Sequence, residues 1–479
     1  YLKLFDAIDN LTDHNEKLIV QMLQDERLIK RLRVAKNYLY KLILKSLRHY
    51  NENFSIDIRL KNLLMETEIL YKKGLFKQGE EILIKAKYLA NKHKKYLPII
   101  EILTWEKELL YTGGFTQKPG NILEDNIKEE KSISEKLINE QKYRNIKYLL
   151  FKHYKLNNIA RNPKEVQAYK EITDNDLCSR EEMALSYNAK QDFYFINSLY
   201  SFAIGDLINS YNHNKTLVGL SEQYPELIHE QPEKYLSTLT NYCYTCFLVK
   251  KYSECLETIK KMRAIPAKSI TMQMNIFIRS YFRELDLYIN IGKHTKGISL
   301  VKDIEKGIQL YKQKISTSTL IGFYYNIAYL YLGIRDYSSS LFWLNKIFNN
   351  SAFKNSRTDT YCFSQIVNLI VHFELRNYDL LEYIVKSTYR FLHKRGRLYK
   401  FETCVLNFIR KKFPKINNNN ELLEAFKELK TELEEIIKDP FEKQALEYFD
   451  FISWAESKIE NRPFAEIVRE KAGKAEDNS

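Results

Sequence analysis

The chain has 479 residues, 44% of them hydrophobic and 13% aromatic, with only 14 glycines and 9 prolines. Such a composition can bury a large core, and it excludes a disordered chain and a strand-rich fold that would need many tight turns. The formal net charge of +14 is a modest excess over this length and bears on partners, not on fold.

Apolar residues recur at i, i+3, i+4 and i+7 almost throughout, and sustained alternation is rare. The spacing predicts helices over roughly 27–50, 54–73, 76–94, 97–112, 133–155, 179–200, 231–249, 252–264, 270–291, 294–313, 318–334, 337–349, 358–375, 378–393, 397–413, 419–437 and 439–460. Longer loops are expected at 113–125, 156–163 and 414–419, which carry Pro, Gly or Asn signals. In the C-terminal region Phe441, Leu446, Phe449, Phe451 and Trp454 make an apolar, largely aromatic stripe, and residues 470–479 (EKAGKAEDNS) are expected to form a disordered end. No apolar run reaches the ~18–20 residues that a bilayer span requires.

One pattern recurs along the chain. Residues 324–348 read YYNIAYLYLGIRDYSSSLFWLNKIF: an apolar helix, a short polar turn, an aromatic residue and a second helix. Degenerate copies lie at 69–89, 242–262, 281–304 and 366–385. The residue opening the second helix is Phe76, Tyr252, His294, Tyr337 or Tyr378, and the last four follow at intervals of 42, 43 and 41 residues. A near-constant period over consecutive units is the signature of stacked helical hairpins, each too small to bury its apolar face alone. Stacking on both sides also explains why YYNIAYLYL is apolar nearly all round.

These units resemble tetratricopeptide repeats. Gly74 and Phe76 match the turn, and Gly79, Leu83 and Ala86 match the small, large and small positions of the second helix. Ala328, Tyr337, Ser340 and Leu344 match in the 324–348 unit. The period exceeds the family's ~34 residues, and several turns lack glycine. The resemblance covers 60–90 and 236–392, is weak over 100–230 and is absent from 1–50 and 415–479. It implies an all-α fold, a TPR-like α-α superhelical solenoid of stacked hairpins. Residues 1–52 would form a helical cap, 53–413 the repeat array, and 414–479 a C-terminal cap and tail. It also implies a surface on the first helices of the pairs that binds peptides or partner segments. Mapped here, that surface offers Tyr244, Phe247, Phe282, Asp286, Tyr325, Tyr329, Ile370 and Phe373. The Lys/Asn carboxylate clamp of chaperone-binding members is not reproduced, so an apolar or amphipathic segment is the expected guest.

Other constellations favour packing over chemistry. Cys243-Tyr-Thr-Cys246 is a C-x-x-C, but zinc needs two further ligands, and no second C-x-x-C or spaced His pair exists. Both cysteines fall at core positions of the repeat alignment, where free cysteine behaves as a small hydrophobe. Six such cysteines fit a reducing, cytoplasmic setting. The nine histidines are scattered, and no nucleophile elbow, metalloprotease helix or phosphate-binding glycine loop occurs. The expectation is a non-enzymatic protein or peptide binder without metal or cofactor, of unassigned oligomeric state. Two alternatives stand beside it. One is a receptor for a small signalling peptide. The other is a nucleic-acid-associated regulator using basic segments at 30–50 (Lys41, Lys45, Arg48) and 386–415 (Lys394, Arg395, Arg397).

Overall fold

The structure, a computed structural model, describes the chain except residues 12–15, 24–28, 52–54, 113–121, 161, 313, 352, 354–357, 395–397, 417 and 477–479. It is 84% helical with no strand among the described residues, so the fold is all-α. In chain order the helices are α1 (Leu2–Asp9), α2 (Glu16–Met22), α3 (Leu32–Asn51), α4 (Ile56–Lys72), α5 (Phe76–Lys92), α6 (Tyr96–Tyr111), α7 (Ile122–Asn157), α8 (Pro163–Thr173) and α9 (Asp176–Ser179). Then come α10 (Tyr187–Ala203), α11 (Leu207–Glu222), α12 (Pro225–Glu230), α13 (Pro232–Leu248), α14 (Tyr252–Arg263), α15 (Ile270–Asn290), α16 (His294–Ser299), α17 (Val301–Tyr311), α18 (Thr317–Gly333) and α19 (Tyr337–Phe348). The last are α20 (Thr358–Glu374), α21 (Tyr378–Lys394), α22 (Lys400–Asn407), α23 (Asn419–Ile436), α24 (Pro440–Lys443), α25 (Phe451–Ile459) and α26 (Phe464–Glu476).

The chain divides into two compact units. One comprises residues 1–156, 167–196 and 224–230. In it, α4, α5 and α6 pack on one another around Leu60, Leu64, Leu83, Ala86, Ile99 and Ile102. The long helix α7 pins α9 and the irregular stretch after it: Tyr143 donates to the Leu177 carbonyl at 2.8 Å, and Asn139 bonds main-chain groups of Met183 and Leu185. A smaller core of Leu4, Ile19, Leu32, Ala35 and Leu39 joins α1 to the start of α3.

The other unit comprises residues 157–166, 197–223 and 231–479, so the stretch 414–479 belongs to the same body as α13–α21. Its helices pack as adjacent pairs: α13 on α14, α15 on α16, α18 on α19 and α20 on α21. Each first helix also packs on the next, α13 on α15, α15 on α18 and α18 on α20. Thus α18 is covered on several sides, which accounts for its nearly continuous burial from Ile321 to Gly333.

Two local devices repeat from pair to pair. The first is the turn. The residue two before each second helix lies in the left-handed region: Gly74 (φ 70°), Gly205 (85°), Lys250 (61°), Gly292 (63°), Arg335 (66°) and Arg376 (59°). The next residue's N–H reaches back to a carbonyl five residues earlier, as in Lys251 to Cys246 (2.8 Å), Lys293 to Tyr288 (2.9 Å), Asp336 to Tyr331 (3.0 Å) and Asn377 to His372 (3.0 Å). This bond satisfies a carbonyl left open at the helix end. Three of these turns place a side chain where glycine is cheapest, at about 1–2 kcal/mol each. The second device is a contact between small residues twelve apart, one on each helix of a pair. Ser340 donates to the Ala328 carbonyl at 2.8 Å, Ser198 and Ser210 hydroxyls lie 3.3 Å apart, and Cys243 and Cys255 sulfurs lie 3.1 Å apart. These positions hold small groups because the helix axes approach most closely there.

Several predicted boundaries differ. The helix expected over 294–313 breaks at Leu300 into α16 and α17, and the one over 397–413 ends as a π turn at Phe408–Lys412. The expected disordered end is helical through Glu476, because α26 packs on α25 and α15. The weak region 100–230 contains α8 and α11, and the turn at Gly205 has the repeated geometry.

Candidate functional site

The candidate site lies on the first helices α15, α18 and α20 of the second unit, together with the segment that follows α24. The aromatic stripe expected of the C-terminal region packs on this face. Phe449 contacts Tyr329 with ring centroids 4.9 Å apart, and Tyr448 stacks on Phe363 at 4.3 Å. Trp454 meets Phe373 at 5.9 Å, and its indole N–H donates to Glu374 at 2.8 Å. Phe451 packs on Phe401, and Leu446 faces the cavity described below. The side chain of Phe441 lies outside what the structure describes.

Two tyrosines of α18 bond the main chain of this segment. Tyr325 donates its hydroxyl to the Tyr448 carbonyl at 2.9 Å, and Asp450 N–H donates to the Tyr329 hydroxyl at 3.2 Å. Burial pushes both phenols well above their ordinary range, so both stay neutral. Asp450 in turn caps α25 through the Ser453 N–H at 2.9 Å.

A partly open cavity of about 190 Å³ remains between this segment and the helix face. Phe282, Asp286, Tyr325, Asn326 and Tyr329 line one side, and Glu447, Tyr448 and Asp450 the other, with Thr360 at the start of α20. Asp286 accepts from Asn326 at 2.7 Å and pairs with Arg283 at 3.3 Å. Glu447 is an exposed residue, and partial desolvation against the cavity wall raises its carboxyl above the usual range.

The sequence-predicted binding residues therefore fall into three groups. Phe282, Asp286, Tyr325 and Tyr329 meet around the cavity. Tyr325, Tyr329, Ile370 and Phe373 are buried, and the chain's own C-terminal segment covers both tyrosines and Phe373. Tyr244 is exposed and Phe247 half-buried on α13, with the Arg283 guanidinium 4.7 Å and 5.8 Å from their ring centres. Arg279, one turn before Phe282 and Arg283 on α15, was not singled out from the sequence. It donates to Ser237 at 3.0 Å and Thr240 at 3.4 Å and has no carboxylate partner among the described residues. Its seven-residue spacing to Asp286 on one helix face was the available signal. Thr360, Asn326 and Glu447 were also missed; nothing local in the sequence marks them.

The basic residues separate differently. Lys41, Lys45 and Arg48 are exposed on α3. Lys394 is exposed at the end of α21, and Arg395 and Arg397 lie outside the described residues. Tyr389, Phe391, Tyr399 and Phe413 are interleaved with the second basic segment: Tyr399 is exposed and Tyr389 lies under Arg410, whereas Phe391 packs on Tyr361 (5.4 Å) and Phe413 on Phe373 (4.8 Å). Packing removes Phe391 and Phe413, but not Tyr399, as free stacking platforms.

The C-x-x-C motif is explained by packing. Cys243 and Cys246 are fully buried, and Cys243 occupies the helix-crossing position that Ala328 occupies in the later pair. Among the described residues no group of three His, Cys, Asp or Glu side chains is placed to hold a metal ion. No described helix is long and apolar enough to cross a membrane. The chain matches no protein-family model and no curated protein.

Proposed function

We propose that the chain is a non-enzymatic scaffold or adaptor, a tetratricopeptide-like solenoid that takes up a protein or peptide segment on the face of its first helices. The observation that carries this reading is the grip on residues 448–450: side-chain hydroxyls of α18 bond main-chain groups of an irregular segment while aromatic rings enclose its side chains. That is how a helical groove holds a peptide. The repeated turn and the twelve-residue small contact support the repeat architecture.

The C-terminal segment covers the α18 and α20 part of the face. The part formed by α13 and α15 offers Tyr244, Phe247, Phe282 and Arg279; Arg279 has no carboxylate partner among the described residues, and the neighbouring Arg283 lies over the rings of Tyr244 and Phe247. A partner segment carrying an acidic group next to an apolar one fits that surface. Six buried thiols support a reducing, cytoplasmic setting.

The test is affinity capture with the full chain, run in parallel with Phe282→Ala and Arg279→Ala. A protein or peptide that the wild type holds and both variants lose is the expected result. A catch consisting only of nucleic acid, weakening steeply as salt rises, would replace this reading with the basic-segment alternative.

A further inference from the structure

We infer that the cavity between α18 and the C-terminal segment is a binding site for a small primary ammonium group. This goes beyond the proposed peptide face, because the cavity exists with the C-terminal segment in place.

Three observations carry it. First, the walls carry three carboxylates, Asp286, Glu447 and Asp450, and no lysine, arginine or histidine side chain lines the space. Arg283 neutralises one of them from outside the lining, through its pair with Asp286. Glu447 has no hydrogen bond or ion pair among the described residues, so the cavity keeps a net negative field. Second, Phe282, Tyr325, Tyr329 and Tyr448 supply aromatic walls, which attract a cation through their ring faces. Third, Thr360 lines the cavity at 4% exposure, and its hydroxyl has no hydrogen-bond partner among the described residues. A hydroxyl that meets the cavity rather than a protein acceptor marks a place where a ligand or water completes the hydrogen bonding.

The acceptors present choose among cations. The Asn326 amide uses its N–H on Asp286, leaving its carbonyl oxygen as an acceptor. With the Thr360 hydroxyl and the Glu447 carboxylate, that makes three acceptors for the three N–H donors of an alkylammonium. A quaternary ammonium has no donor and would leave all three unmet. The volume of about 190 Å³ is of the order that holds one small organic molecule. Two sources present this chemistry, a free amine and the side chain of a lysine in a bound segment.

The test is a saturation-transfer NMR titration of the full chain with n-butylammonium, n-butanol, butyrate and tetramethylammonium, in wild type, Glu447→Gln and Thr360→Val, with folding of each variant checked by circular dichroism. Saturable binding of n-butylammonium alone, weakened about five- to tenfold by Glu447→Gln and severalfold by Thr360→Val, is expected. Equal binding of n-butanol or tetramethylammonium overturns the assignment, as does n-butylammonium binding that neither folded variant changes. 1,4-Diaminobutane and Nα-acetyl-lysine methylamide, titrated in the same way, separate the sources: the tighter of the two identifies a free amine or a lysine side chain. Failure here leaves the peptide face on α13 and α15 untouched, since that face is tested by its own variants.

Discussion

The hydroxyl of Tyr325 donates to the main-chain carbonyl of Tyr448 across 2.9 Å, joining positions 123 residues apart in the chain. Around that bond the C-terminal segment buries Phe449 and Trp454 against the first-helix face, and Phe451 against Phe401 of α22. Removing the hydroxyl alone, by Tyr325→Phe, is expected to cost about 1 kcal/mol, the usual net worth of one hydrogen bond. Trp454→Ala removes a fully buried ring and leaves the Glu374 carboxylate one donor short, so a loss of about 3–5 kcal/mol is expected. Urea unfolding measures both; variants no less stable than wild type would show that the segment does not dock as described.

The left-handed turns give a prediction of opposite sign. Arg335 sits at φ 66° and Arg376 at φ 59°, where glycine carries no Cβ penalty. Part of that gain is lost to the greater freedom of glycine in the unfolded chain. Arg335→Gly and Arg376→Gly are each expected to stabilise by roughly 0.5–1 kcal/mol on balance. Gly333→Ala should do the reverse, because its Cβ would lie 1.6 Å from Nδ1 of His294, which is buried and has little room to move. A higher melting temperature for Gly333→Ala than for wild type would contradict the packing at that turn.

His294 supplies the pH dependence. It is fully buried, Nε2 donates to the Ile289 carbonyl at 3.3 Å, and Nδ1 has no partner among the described residues. Burial, with the nearby Arg469 charge, lowers its pKa from 6.5 to about 4. Between those two values the unfolded chain binds a proton that the folded chain does not, so stability rises with pH across that window. From pH 6.5 down to 4 this one group is expected to remove up to ~3 kcal/mol. His294→Phe should flatten that part of the stability–pH curve; an unchanged slope would place the titration elsewhere.

The thiols are expected to be silent until the chain unfolds. Burial pushes Cys178 up to about 11 and Cys246 and Cys404 up to about 12, so little thiolate forms at neutral pH. A thiol-reactive dye should label all six cysteines in denaturant and almost none in the folded chain. Rapid labelling of Cys246 in the native state would contradict its placement between α13 and α14.

Much of the helical layout was legible in the sequence, because period, apolar face and turn aromatic all repeat between Pro232 and Lys394. The pairing of helices followed from the same pattern. The turns at Lys250, Arg335 and Arg376 were not legible as left-handed, since the residue types there do not announce it. Nor was the destination of the C-terminal stripe. Phe449, Phe451 and Trp454 read plainly as apolar, but periodicity says only that a face is buried, never which distant face buries it. For that reason Tyr325, Tyr329 and Phe373 read as an open surface, whereas they lie beneath residues more than a hundred or some eighty positions further on. The cavity residues Thr360 and Glu447 depend on that long-range contact and had no local signature.

The most direct measurement is a peptide selection on the immobilised full chain, using a random displayed library, with Phe282→Ala and Arg279→Ala as counter-screens. The expected result is a set of related peptides, each pairing an acidic with an apolar residue, that bind the wild type and lose at least about tenfold in affinity to each variant. Enrichment of no peptide, or of peptides that bind both variants as tightly as the wild type, would contradict a peptide-binding face on α13 and α15.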